Sequence, residues 1–289
     1  MADDGHNEAV AEQDDACLSA LRETDRDRYL ACLLSPPDKQ PALAALYAFS
    51  AELARVRELV REPLPGEIRL QYWRDFLSGQ GHGDAQANPL AVGLMATIER
   101  HHLPIKPLLD MIDARVSDLY DDPIGPKAAL EGYAGETASA LIQLASLVLD
   151  DKAAIACADI AGHAGVAQAV AGLLLLMPQH SARGQLYIPD EILTATGLTR
   201  DSFLQGQDTA RIQGAIEAFA GFGMDHLTKA QSSGKVPASV FNAYVPVALA
   251  RPVLVAARRN PARVLASQLR PVQWRRQLTM LKASLLRRF

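Results

Sequence analysis

Apolar residues recur every three or four positions through most of the chain. Leu46, Phe49, Leu53, Val56 and Val60 follow at steps of 3, 4, 3 and 4, which is one face of a helix over residues 41–62. Pro41 suits the first turn of that helix, and Pro63 stops it. A second helix is predicted to open near Gly66 and to end near Gly79, where "GQGHGDAQANP" reads as a loop. Further helices are predicted over "LAVGLMATIERHH", "KPLLDMIDARVSDLY", "KAALEGYAGETASALIQLASLVL" and "RIQGAIEAFAGFGMDHLTKAQ". Two more lie before and after "SARGQLYIPDEILTATGLTRDSF", and basic C-terminal segments complete the set. No period-two alternation persists, so the pattern predicts an all-α bundle of about ten helices. No linker-like boundary and no internal repeat interrupts it.

The stretch "AGVAQAVAGLLLLMPQHSARGQLYIP" holds four consecutive leucines, Leu173 to Leu176, in a helix expected to end at Pro178. From Ile160 to Met177 the chain is largely apolar, but His163 and Gln168 interrupt it and much of it is Ala and Gly. A membrane span needs about 20 strongly apolar residues. The expectation is a helix buried on most faces.

Composition narrows the class. Of 289 residues 49% are hydrophobic and only 6% aromatic, which favours helices over a β-sandwich. Cys17, Cys32 and Cys157 are scattered, so neither a disulfide framework nor a structural zinc site is expected, and a reducing cytoplasm fits. The acidic, polar start lacks the marks of a secretory or transit signal. Residues 1–15 read as a flexible acidic tail, with the helical domain over 16–289.

Charge is uneven. The formal net charge is -4, yet twelve Lys and Arg and no Asp or Glu follow Asp225. Within the basic segment 251–289, "WRRQLTMLKASLLRRF" aligns Trp274, Leu278, Leu281, Leu285 and Phe289 on one stripe, with Arg275, Arg276, Lys282 and Arg287 largely off it. Such a helix rests on an anionic membrane or an acidic partner, or it packs its stripe on the domain and solvates its arginines. No nucleic-acid partner is expected.

Local motifs carry little chemistry. His101 and His102 are adjacent and face two directions on a helix. There is no HExxH, GxSxG or P-loop. "GHAGVAQAVAG" lies in a predicted helix and not after a strand, which makes it a weak dinucleotide signal.

Three longer stretches do carry a resemblance. "LYAFSAELARVRE" resembles the first signature of the squalene/phytoene synthase family, where "YAFCR" leads into an aspartate-rich "DDIVD". "DARVSDL" with "YAGETASALIQLAS" resembles its middle region. "AGVAQAVAGLLLLMPQHSARGQLYIP" resembles its second signature, and the order and spacing of all three agree. The resemblance covers roughly residues 25 to 255. It implies a single-domain, all-α bundle of the isoprenoid synthase type with a central apolar cavity. Members join two prenyl diphosphates. Aspartates on two helices hold magnesium ions, which clamp the diphosphate oxygens.

The same alignment implies that this chemistry is eroded. The first-signature aspartates fall on Ala54, Arg55 and Glu58. The second-signature "RD" falls on Leu175 and Leu176, its later "ED" on Gln179 and His180, and its asparagine on Gly172. A hard cation wants several oxygen ligands, and leucine offers none. Asp118, Tyr133, Gly165, Arg183, Gly184, Tyr187 and Pro189 match the family pattern. Each also has a packing, turn or surface reading. Asp118, Asp121 and Asp122 cluster, but "DLYDDP" reads equally as a helix end entering a turn.

"AELARVRELVREPLPGEIRLQYWRDFLSG" further resembles a divergent branch containing the mitochondrial respiratory complex I (NADH dehydrogenase) assembly factor and its bacterial relatives. That branch implies a non-catalytic role at the inner membrane, with a respiratory-complex or other protein partner and an isoprenoid or lipid ligand. It also implies a bacterial chain that is cytoplasmic or peripheral on the inner membrane. No cofactor is then expected; magnesium belongs only to the alternative of an active prenyltransferase. In a form of that alternative without the metal, Arg55, Arg69 and Arg183 hold diphosphate in place of magnesium, since guanidinium forks match phosphate oxygens. A plain helical scaffold is the third reading. The cavity or substrate candidates are Arg55, Glu58, Asp118, Tyr133, His180, Arg183 and Tyr187. No residue is assigned a catalytic role.

Overall fold

Residues 16–80, 88–120 and 122–289 are described by a computed structural model, in which no strand occurs among the described residues. The expected acidic tail over 1–15, the middle of the glycine-rich loop and Asp121 lie outside them. In chain order the main helices are α1 (Arg26–Leu33), α2 (Gln40–Leu59), α3 (Pro63–Leu77), α4 (Pro89–His101), α5 (Ile105–Ser117), α6 (Lys127–Ala134), α7 (Ala140–Leu149) and α8 (Asp151–Ala156). They continue with α9 (Ala158–Ala182), α10 (Asp190–Ala195), α11 (Arg200–Leu204), α12 (Thr209–Ser232), α13 (Ala250–Arg259) and α14 (Gln273–Leu286).

The helices group into two compact units. Of the described residues, the first comprises 16–80, 88–120, 140–156 and 237–243, and the second 122–139, 157–236 and 244–289.

In the first unit the apolar stripe of α2 is the core. Leu46, Phe49, Leu53 and Val56 are each 2% exposed or less. Burying a side chain such as Phe49 is worth about 1.5–3 kcal/mol. Its ring meets Trp73 of α3 edge-on, with centroids 5.1 Å apart. Val60 falls outside the helix, in extended backbone after Leu59. The helix α3 opens at Pro63, earlier than expected near Gly66. The first turn has no intrahelical partners for its N–H groups, so Pro63 and Pro65 start this helix at little cost.

In the second unit α9 packs against α12 and α13. It is the one helix among the described residues long and apolar enough to cross a membrane. Ala164, Ala167, Val170 and Leu174 are fully buried, as in a core helix. The helix does not end at Pro178 but runs through it to Ala182. Pro178 removes one backbone bond near the end of the helix, which the remaining turn tolerates. The true stop is Gly184, whose φ is +76°. Gln185 N–H reaches the His180 carbonyl at 2.9 Å and Gly184 N–H the Ser181 carbonyl at 3.0 Å, a Schellman closure. Arg200 also donates to the Gly184 carbonyl at 2.5 Å.

Gly165 lets α9 approach the π-helical segment Gly135–Ser139, which continues from α6. A Cβ on Gly165 would lie 2.5 Å from the Ser139 Cα. The Ser139 hydroxyl donates to the Gly162 carbonyl at 2.9 Å and pins the contact. Gly165 and Gly184 therefore have structural roles of their own.

The C-terminal helix α14 turns its other side inward. Met280 and Ala283 are buried at 0% and 4% exposure, whereas Trp274 and Leu285 of the apolar stripe are 59% and 74% exposed. The reading in which the stripe packs on the domain holds only at its last member, Phe289, which is half-buried and stacks on the Tyr244 ring with centroids 5.7 Å apart; Trp274, Leu278, Leu281 and Leu285 stay exposed. Met280 and Ala283 on the inner side, together with Phe289 just beyond the helix, hold α14 in place.

Candidate functional site

The first-signature residues sit near the end of α2. Its buried face is set by Leu53 and Val56, which leaves Ala54, Arg55 and Glu58 exposed. Asp118 follows α5 as its C-cap and is 9% exposed. Its carboxylate accepts from the Arg115 guanidinium at 2.9 Å. Asp118 is thus engaged at a helix end.

The second unit brings three other candidates together. The His180 and Tyr187 rings lie 4.8 Å apart between centroids, and Tyr133 lies 6.2 Å from Tyr187. The α9 stop places His180 in its last turn, and the chain then turns back to set Tyr187 against it. Tyr133 comes from the end of α6. All three are half-buried. Arg183 is the C-cap of α9 and is exposed. The cluster has aromatic faces and one imidazole, which suits contact with carbon skeletons better than ligation of a hard cation.

The leucine run divides in two. Leu173 and Leu174 point into the core, 8% and 0% exposed, while Leu175 is half-buried and Leu176 is 41% exposed. The residues at the family's ligand positions therefore do not fit magnesium. Ala54 and Leu176 supply no oxygen, Arg55 brings a positive charge, and Glu58 is the one carboxylate left at a first-signature position. Among the described residues no group of three or more His, Cys, Asp or Glu side chains is placed to hold a metal.

One polar cluster was not anticipated from the sequence. His163 Nδ1 lies 3.0 Å from His226 Nδ1, and His226 Nε2 lies 3.1 Å from a Glu131 carboxylate oxygen. These side chains come from α9, α12 and α6. The only sequence signal was His163 as a polar break in an apolar run. His226 is 4% exposed. Burial holds its pKa below the ordinary 6.5, outweighing the upward pull of Glu131; His163 and Lys229 add to the lowering. The unfolded chain therefore binds a proton at His226 more readily than the folded one. Stability is full above about pH 6.5 and falls as pH drops from there towards the folded pKa. Thermal melts between pH 7.5 and 5.5 should show a decline in the parent that is shallower in His226→Gln. Parallel curves would contradict this.

A family model for squalene/phytoene synthase matches residues 21–282. The NADH dehydrogenase (ubiquinone) complex I, assembly factor 6 of Rattus norvegicus is 33% identical over 230 residues, covering 79% of this chain and 69% of the relative. The protein of the same name in Homo sapiens is 31% identical over 233 residues, covering 80% and 70%. A 15-cis-phytoene synthase of Synechocystis sp. is 27% identical over 217 residues, covering 70% and 63%. Among solved structures, a dehydrosqualene synthase in complex with ligand superimposes with a TM-score of 0.71 at 17% identity, covering 96% of this chain and 97% of that one. That likeness shows the fold, the all-α isoprenoid synthase fold. Signatures, fold and family match agree: the chain belongs to the squalene/phytoene synthase family.

Proposed function

We propose that this chain is an assembly factor for respiratory complex I, built on a prenyl synthase scaffold whose metal chemistry has been lost. The observation that carries the reading is Leu175 and Leu176 on α9, at positions where the resemblance places an arginine and a metal-binding aspartate. Coupling two diphosphates needs cations to offset the charge of the leaving group. A chain with alanine, arginine and leucine at those positions lacks the means to hold them. Similarity supports the same reading, since the assembly factors align with higher identity and over more of the chain than the phytoene synthase does. The partner is then a subunit or intermediate of the respiratory complex.

Deleting the gene in its own host should lower assembled complex I in isolated membranes several-fold, read by native gel and NADH oxidation. A reintroduced parent copy should restore it. Glu58→Ala should restore it equally, because the one first-signature carboxylate has no metal to hold. Unchanged complex I in the deletion strain would overturn the proposal.

A further inference from the structure

The outer face of α14 is an apolar ridge. Trp274, Leu278, Leu281 and Leu285 are 59%, 42%, 43% and 74% exposed. At 100° per residue they fall within a narrow arc of the helix, on the side away from Met280 and Ala283. Lys282 and Arg275 border this arc on one side, and the Arg275 guanidinium lies 5.2 Å from the centre of the Trp274 ring. Beside the ridge is a groove of about 460 Å³ between α13 and α14. Pro252, Val255 and Leu286 give it apolar walls, and Arg251, Lys282 and Arg288 stand around it. No acidic residue occurs anywhere after Asp225.

The charge and shape of this face select its occupant. A second copy of the chain would set one cation-flanked ridge against another, with no carboxylate on either α14 to relieve the repulsion. A protein groove would have to be deep, apolar and acid-rimmed. An anionic bilayer offers both needed features on one surface. Its phosphates neutralise lysine and arginine, and its acyl boundary takes up leucine and tryptophan. A convex helical ridge fits a deformable interface, and tryptophan favours the headgroup level.

We infer that α14 is a membrane-docking helix: its Trp274–Leu285 ridge enters the headgroup boundary of an anionic leaflet, while Arg251, Lys282 and Arg288 hold lipid phosphates beside the groove. The inference rests on this face alone and not on the assembly-factor reading, so either can fail without the other.

The test is flotation of the full chain with vesicles of phosphatidylcholine alone or with about one-third phosphatidylglycerol, at low and high salt. Binding to the anionic vesicles should exceed binding to the neutral ones by tenfold or more, and high salt should weaken it. Tryptophan emission should shift to the blue on binding, and Trp274→Phe should remove that shift, because the other tryptophan, Trp73, is buried. Leu278→Gln combined with Leu281→Gln should reduce binding at least tenfold with the melting temperature nearly unchanged, since both side chains are exposed. Arg251→Glu with Lys282→Glu should do the same on anionic vesicles.

Several results would overturn the inference. One is equal binding to both vesicle types. Others are no binding at either salt, or retention of parent affinity by the leucine variant. A parent that dimerises where the leucine variant is monomeric would assign the ridge to a second copy. Preference for an acidic polypeptide over anionic vesicles would assign it to a protein.

Discussion

Gly165→Ala should lower stability by about 3 kcal/mol, at the upper end of what overpacking a core costs. The added methyl carbon would meet the Ser139 backbone, with Ser139 Cα at 2.5 Å. A flexible side chain could swing away, but here the helix and the π-helical segment must separate. That separation also strains the Ser139 hydroxyl bond to Gly162. Gly172→Ala, in the same helix, is the internal control. A Cβ there meets nothing within 4 Å. Removing a helix-interior glycine should leave stability unchanged or raise it by up to about 1 kcal/mol. Urea titrations of the two variants should therefore move in opposite directions or at least differ sharply. Equal midpoints would contradict the close packing at Gly165.

The second large effect separates two neighbouring leucines. Leu174→Asp should abolish the folded state, because Leu174 is 0% exposed and a carboxylate in an apolar core costs several kcal/mol without a partner. A domain stable by about 5–15 kcal/mol has little margin for that. Leu176→Asp, two residues on, should cost no more than about 1 kcal/mol, because Leu176 is 41% exposed. Circular dichroism and soluble yield distinguish the two. If both variants unfold, the leucine run is packed on every side, and the division of α9 into a core face and an open face fails.

These two pairs show what was legible in the sequence and what was not. The stripe of α2 was legible, since Leu46, Phe49, Leu53 and Val56 are both periodic and buried. The end of α9 is not legible from Pro178, because a proline near the end of a helix removes only one backbone bond and the helix runs on to Ala182. The stop is set by Gly184, whose left-handed backbone closes the helix beyond Pro178. Periodicity found the apolar face of α14 but could not say what covers it. Met280 and Ala283, off that stripe, are the buried residues of the helix, and of the stripe itself only Phe289 packs inward, on Tyr244. The Glu131, His163 and His226 cluster was not legible, because its members lie 63 and 95 positions apart and meet only through helix packing. Lost ligands are silent in isolation. Ala54 and Leu176 have no chemistry to notice, and only the family resemblance gives their positions meaning. The same resemblance singled out Tyr133, His180 and Tyr187, which the fold brings together, and Asp118, which the fold pairs with Arg115.

On the assembly-factor reading proposed above, this scaffold does not turn over prenyl diphosphates. The most direct measurement is diphosphate release from farnesyl and geranylgeranyl diphosphate by the purified full chain, with and without magnesium. Release should be no greater than that of a heat-killed control, at high protein concentration and in both conditions. Release above that control would contradict that reading, and if release depended on magnesium, oxygen ligands other than the eroded signature positions would have to hold the metal.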